Sequence, residues 1–414
     1  MSPTPRAALL VAAFALGALF LPIAVSLLGA AVVLTLAAYD AFSVRRPPRI
    51  DRTLPATLAR GVAVPFAVET DGGGAVAVRQ PNVPALEFEP QQNLGGVAGA
   101  VLPRLRGRHR VPAAAAVTTG ALGLGRWSHA GGAEAEVLVY PDLPAARRIA
   151  RSVREGRFGD PGGFGRGPLG LGTEFESIRE YVADDDFRQI NWRATARVGR
   201  PMTNQYRVEQ DRDVVCVVDC GRLMGAPLGP ARTRLDAALD ATVAVALVAD
   251  EVGDRCGAIA FDGAVRREIK PSRSGGRRVV AALFDLEPVE VDSDYELAFR
   301  TVAGGKRSLV MVFTDLIDEA AARSLLAATP VLARRHMLVV ASVSDPDLDV
   351  LVDTPPQTAY DAAAQRVARE VLKTRAAVSA RLGGMGATVI DVAPMRFSAA
   401  CVSSYLKAKS RGRL

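Results

Sequence analysis

The sequence predicts an α/β protein whose largest part is a doubly wound, mostly parallel sheet, preceded by a small β-rich module and an N-terminal transmembrane hairpin. Three observations predict this. No charged residue occurs from Ala7 to Tyr39, residues 50–140 break into short alternating stretches between Gly- and Pro-rich turns, and after Asp211 continuous apolar runs alternate with helix patterns. The chain has 414 residues, more than the about 250–300 that one core supports. The shifts in pattern divide it at 1–46 (hairpin), 47–141 (β module), 142–211 (linker and a charged segment) and 212–414 (α/β domain).

Hydrophobic residues make up 49% of the chain and the mean hydropathy is +0.15, high for a soluble protein. The uncharged run accounts for part of that. It is longer than the about 20 residues one crossing needs, and Pro22 divides it into helices near Ala7–Leu21 and Ile23–Tyr39. Each is short for a full crossing, so a single long tilted helix or a shallow hairpin stays open beside the two-pass reading. Arg6 precedes the run and Arg45 and Arg46 follow it. Positive charge on both flanks places both in the cytoplasm, which predicts a multi-pass protein of the inner (plasma) membrane with the bulk of the chain cytoplasmic. The alternative, a cleaved signal peptide, conflicts with a run far longer than its about 7–15-residue apolar region.

Lys and Arg number 51 against 44 Asp and Glu, a net charge of +7. That excess suits anionic lipid or an acidic partner and falls short of a nucleic-acid binder's density. Cys216, Cys220, Cys256 and Cys401 share no metal-ligand spacing with a histidine pair, and read as buried reduced thiols.

In the β module, "AVAVRQ", "LEFEP" and "AEVLVYP" alternate like strands broken by "DGGG" and "HAGG". "RLRGRHRVP" reads as a basic edge strand, and His109 and His129 carry no ligand spacing. A helix pattern, "PAARRIARSVREG", leads into "RFGDPGGFGRGPLGLG", a linker by composition. It lacks the strand, helix and terminal lysine of a phosphate-cradling loop.

The alternation after Asp211 gives strands at "DVVCVVDC", "RCGAIAFD", "AVRREIKPS" (an edge strand), "RSLVMVFTDL", "HMLVVASVSD" and "ATVIDVA". Helices are predicted at "ARTRLDAALDATVAVALVADEVG", "GGRRVVAALFDL", "DYELAFRTVAGG", "DEAAARSLLAATPVLARR" and from about Thr358 to Leu382. Ligands of such sheets bind beyond the carboxyl ends of the strands, where Asp219, Asp262, Thr314 with Asp315, and Asp345 fall. Clustered carboxylates are what a hard divalent cation requires. No G-x-G-x-x-G turn follows the first strand, so no nucleotide cofactor is expected.

Gly172–Arg197, with "VVDCGRLM", "GDRCGAIAFD", "RSLVMVFTDL", "RRHMLVV" and "SSYLKAKSRGRL", resembles the bacterial membrane-anchored proteins of domain-of-unknown-function family 58 over nearly the whole chain. The resemblance implies a von Willebrand factor A-like domain. It also implies a membrane-bound adaptor or scaffold working with a MoxR-type AAA+ ATPase and other membrane-associated proteins, with no established catalytic activity. The von Willebrand A metal site is written D-x-S-x-S. Here Asp219 matches the aspartate, but Gly221 and Leu223 replace the serines. Thr314 and Asp315 resemble the later ligands, and Ser272 or Ser274 is a candidate to approach from the loop after the edge strand; no functional metal is expected.

In the signature segment, Glu174, Glu176, Arg179 and Glu180 alternate with apolar partners, and Asp184, Asp185 and Asp186 are placed to cap a helix starting near Phe187. Arg193 and Arg197 share a face, with Arg188 about a turn back. No histidine or cysteine lies here to partner a general acid or base. Three readings stay open: wiring that docks the β module onto the α/β domain, a recognition surface for a partner protein, and hydrolysis by the carboxylates.

The expectation is a non-enzymatic membrane adaptor with no catalytic residue, metal or cofactor. It binds partners at a strand-end rim of Asp219, Arg222, Thr314 and Asp315, neighboured by Glu176, Arg179, Asp185, Arg188 and Arg193. The alternative is a divalent-metal hydrolase acting on a phosphate or envelope substrate through Asp219, Asp315 and the signature carboxylates. The basic C-terminal segment is read as a solvated terminus, with contact to anionic lipid as its alternative.

Overall fold

A computed structural model describes residues 1–71, 76–158, 174–182, 185, 187, 190–207, 212–229, 232–316 and 319–410. The "DGGG" turn falls largely, and the Gly- and Pro-rich linker mostly, outside these residues. The chain forms two compact units, Met1–Tyr140 and Pro141–Leu414.

The first unit opens with two apolar helices, α1 (Pro5–Gly17) and α2 (Ile23–Ser43). Thr4 caps α1, and Pro5 suits its first turn, where no intrahelical N–H is needed. Pro22, lacking an N–H, begins α2. Among the described residues only α2 is long and apolar enough to cross a membrane by length and composition; α1 has 13 residues. A short strand, β1 (Ser2–Pro3), precedes the helices, and a β-rich body follows them: β2 (Ile50–Thr53), β3 (Thr57–Ala59), β4 (Val64–Thr70), β5 (Val76–Arg79), β6 (Leu86–Glu89), β7 (Gln92–Leu94), β8 (Gly96–Pro103), β9 (Gly107–Val111), β10 (Ala114–Thr119), β11 (Gly125–Gly131) and β12 (Ala135–Tyr140).

They assemble as β1-β11-β10-β5-β7, β2-β4-β8-β6 and β3-β12-β9, antiparallel except for β3 beside β12. Alternating inward side chains, among them Phe66, Val68, Val78, Phe88, Val101 and Val139, make one core. Among the described residues the basic strand β9 is an edge, paired to β12, as its charge pattern predicts. α2 packs closely on β11: a Cβ at Gly125 would lie 2.1 Å from the Ala37 carbonyl oxygen and 2.4 Å from the Ala41 nitrogen. Only glycine lets the helix backbone approach so near.

The second unit begins with α3 (Leu143–Arg154), a hairpin of β13 (Glu174–Glu180) and β14 (Met202–Arg207), and the short α4 (Trp192–Val198) between those strands. The sheet follows: β15 (Asp213–Asp219), α5 (Arg234–Glu251), β16 (Arg255–Phe261), β17 (Val265–Ser272), α6 (Gly275–Leu283), α7 (Tyr295–Ala303), β18 (Leu309–Phe313), α8 (Glu319–Ala333), β19 (Met337–Val343), α9 (Pro346–Asp353), α10 (Ala359–Gly384), β20 (Thr388–Val392) and α11 (Pro394–Ser410). Its order is β17-β16-β15-β18-β19-β20, parallel except for the β17 edge.

The inner strands are buried on both faces, as continuous runs such as "VVCVVD" require. Tyr295, Phe299, Leu325, Leu332, Val378 and Leu382 of α7, α8 and α10 cover one face. α5 is buried along nearly its whole length and packs against β15, β16, α3, α6 and α11. The chain therefore shows a mixed α/β fold with a mostly parallel sheet, as the sequence predicts. All four cysteines are buried and none is in a disulfide.

Candidate functional site

From β15 the chain crosses to β16 on one side, then returns past β15 to place β18 on the other. The carboxyl ends of β15 and β18 are thus the point where the winding reverses, the crevice where open α/β sheets present ligands. Asp219 ends β15, and Thr314 and Asp315 follow β18.

The structure brings Asp219 and Thr314 together but does not leave them on an open rim: Asp219, Thr314 and Asp315 are all buried. One Asp219 oxygen accepts from the Gly221 N–H at 2.8 Å and from the Ser293 hydroxyl. The other accepts from Tyr295 at 2.8 Å and Thr314 at 2.7 Å. Burial, then the Asp219 charge, holds the Tyr295 phenol well above its usual range. Tyr295 is fixed edge-on between Phe261 and Phe299. Neither Ser293 nor Tyr295 was visible as a site residue in the sequence, because "DSDYEL" reads as a helix start; there Asp294 caps α7.

Asp315 belongs to a separate buried network. One of its oxygens accepts from Arg234 at 3.2 Å, Arg375 at 2.9 Å, Ser342 and the Leu316 N–H. Arg234 also reaches the Val343 carbonyl and Asp345, and Arg375 reaches Asp391. Burial pushes the Asp315 carboxyl up despite both guanidiniums, which act in the opposite direction. The network ties α5 and α10 to β18, β19 and β20. Arg234 carried a sequence signal: a cation in the first turn of a helix opposes the helix dipole and calls for a carboxylate partner.

Ser272 and Ser274 do not approach Asp219. Ser272 pairs with Cys256 near the start of β16, whereas Asp219 pairs with Phe261 at its end, so Ser272 and the nearby Ser274 lie toward the amino ends of the parallel strands, away from Asp219. Nor does Gly221 leave room for a serine, since a Cβ there would meet the Ser293 hydroxyl at 2.1 Å and the Val291 carbonyl at 2.7 Å. Among the described residues no group of three His, Cys, Asp or Glu side chains gathers as metal ligands.

What is open at this end is a cavity of about 200 Å³ lined by Asp219, Arg222, Leu223, Asp292, Ser293 and Tyr295, among others. Arg222 stands at its mouth, paired to the exposed Asp292.

The signature residues make a second feature. Arg179 and Asp185 form a two-point ion pair at 2.7 and 2.5 Å, which raises the guanidinium and lowers the carboxyl from their usual values. Asp185 also accepts the Val182 N–H, and its backbone carbonyl accepts from Tyr181. Asp185 therefore closes a turn rather than capping a helix. Helix α4 starts at Trp192, five residues later than expected, and its cap is Asn191, which accepts the Ala194 N–H. Asp184, Asp186 and Arg188 lie outside the described residues, as does the side chain of Glu176, whose backbone is in β13.

Arg193 is exposed on α4. Beside it in sequence Trp192 is 70% exposed and Phe187 68% exposed, with Val182, Val198 and Ile178 also exposed. None of these residues lines the Asp219 cavity.

A family model described as "Protein of unknown function DUF58" matches residues 177–380, from the signature hairpin through most of α10. The apolar helices and the β-rich unit lie outside the match, so the resemblance stands for this region rather than for nearly the whole chain. The chain is also similar, at 25% identity over 266 residues, to uncharacterized proteins of Mycobacterium bovis and of two strains of Mycobacterium tuberculosis, covering 59% of this chain and 82% of theirs.

Proposed function

We propose that the protein is a membrane-anchored, non-enzymatic adaptor that captures partner proteins, a MoxR-type AAA+ ATPase foremost among them. The exposed Trp192 and Phe187, close to Arg193 in sequence, carry this reading. Aromatic and arginine side chains dominate binding hot spots, and large apolar side chains exposed near one another in sequence suit an interaction face. The sheet order, with carboxylates at the ends of β15 and β18, supports a von Willebrand factor A-like domain as the scaffold behind that face. Arg6, Arg45, Arg46 and Arg49 around the apolar helices support a plasma-membrane anchor with the bulk of the chain cytoplasmic.

Because Asp219 is buried and accepts from four donors, its removal would disturb folding before it reported on binding. Partner contact is assigned instead to Trp192, Phe187, Arg193 and the exposed Arg222–Asp292 pair at the cavity mouth. The test titrates a purified MoxR-type ATPase against the full-length protein in nanodiscs. Trp192→Ser or Phe187→Ser should weaken binding by roughly 30-fold, the scale of a hot-spot residue, while thermal stability stays unchanged. Equal binding by both variants, or tight magnesium binding in calorimetry that is lost with Asp315→Asn, would overturn the adaptor reading in favour of a metal-dependent hydrolase.

A further inference from the structure

Both ends of the apolar hairpin are fastened to one β-turn. At the start of α1, β1 pairs with β11, the Thr4 N–H donates to the Leu124 carbonyl, and the Thr4 hydroxyl donates to the Gly123 carbonyl at 2.7 Å. Near the end of α2, Asp40 accepts the N–H groups of Leu122, Leu124 and Gly125 at 2.9–3.0 Å. His129 meets the Val44 carbonyl one turn later. A carboxylate satisfied by three backbone donors belongs at the polar boundary, not in hydrocarbon. Thr4 and Asp40 therefore mark one common floor from which the hairpin rises.

Its height follows from helix geometry. At 1.5 Å per residue, Thr4 to Ala18 rises ~21 Å and Ile23 to Asp40 ~25 Å. A bilayer's hydrocarbon core is ~30 Å thick. The tip, Gly17 to Ile23, contains no polar side chain, and Phe20 at its summit is 90% exposed. Four backbone donors of the turn are paired within it: the N–H groups of Ala18, Leu19, Phe20 and Leu21 donate to carbonyls of Phe14, Leu16 and Gly17. Each donor paired in this way lowers the cost of a turn away from water. Val11 and Phe14 of α1 pack against the Val33 and Ala37 side of α2, while Leu9, Leu16, Ile23 and Leu28 point outward and are exposed.

We propose that this hairpin is a re-entrant anchor: it enters a lipid bilayer from one face, turns within the acyl chains and leaves by the same face. It rests on the membrane anchoring proposed above. The occupant of its outer surface is phospholipid acyl chain, because the exposed side chains surround the tip and both helices rather than forming one stripe for a second helix pair. The depth set by Thr4 and Asp40 holds the β-rich unit directly against the headgroups.

The experiment uses full-length protein in phosphatidylethanolamine/phosphatidylglycerol vesicles. Flotation first reports attachment, and failure to float overturns the anchoring reading and this one with it. With attachment shown, Phe20→Cys and Leu19→Cys at the tip are compared with Arg46→Cys beside the floor. The buried native cysteines make the unmodified chain the blank. An impermeant maleimide should modify Arg46→Cys from one face and neither tip variant from either face until detergent is added. A bimane on the tip cysteine should be quenched by lipid carrying a deep acyl-chain quencher. Modification of a tip cysteine from the face opposite Arg46→Cys would establish a two-pass hairpin instead. Modification from the same face, or a bimane shielded from lipid quencher by protein, would remove the re-entrant anchor.

Discussion

Gly221 shows at a single residue how the strand-end site differs from a metal-binding one. A motif of the D-x-S-x-S kind needs a hydroxyl there, yet the space is taken by Ser293, which bonds to Asp219 from α7's approach instead. Gly221→Ser should therefore cost about 1–3 kcal/mol by overpacking, seen as a lower urea midpoint with unchanged slope. Equal stability would mean that Ser293 moves aside freely. The aspartate, threonine and second aspartate were legible because each ends an apolar run. Their partners were mostly not, since Ser293, Tyr295 and Arg375 come from positions remote in sequence, and only tertiary packing brings them to the strand ends. Burial was equally illegible: a carboxylate after a strand looks the same in sequence whether it faces water or a tyrosine.

At the scale of elements, periodicity and capping were readable where an element buries a face. β15 lies at Asp213–Asp219, and α10 begins after Thr358, whose hydroxyl and Asp361 form a reciprocal cap. Helix α9 was not foreseen because it buries none of its residues, so no apolar stripe announces it. In the signature, three consecutive aspartates imitate a cap that Asn191 supplies.

The C-terminal helix misled in the other direction. Lys409 suits the end of a solvated helix by charge, but it is buried and bonds to Asp254 at 2.6 Å, beside Tyr405, which donates to the same carboxylate. This pair locks α11 to the turn before β16. Lys409→Met should destabilise by about 3–5 kcal/mol, because the Asp254 charge is left buried without its cation. Lys409→Met combined with Asp254→Leu should recover part of that loss, and urea unfolding of the two variants separates them. If the single variant is neutral, Asp254 is adequately held by Tyr405 and the Arg212 N–H alone.

Over the whole molecule, each described core draws its side chains from one unit: Phe66, Phe88 and Val101 from residues 1–140, and Phe261, Tyr295 and Leu332 from residues 141–414. Cooperative unfolding follows a core, so a unit with a core of its own is expected to unfold as its own cooperative step. Calorimetry of the full chain in nanodiscs should show two transitions. The Asp254–Lys409 pair lies wholly in the second unit, which makes Lys409→Met a marker for assigning them: it should lower one transition by roughly 5–10 °C, given that about 1 kcal/mol moves a domain of this size by ~2–4 °C or less, and leave the other in place. A single transition that moves as a whole would show that the two units fold as one. The partner face proposed on the signature segment would then lose stability together with the first unit.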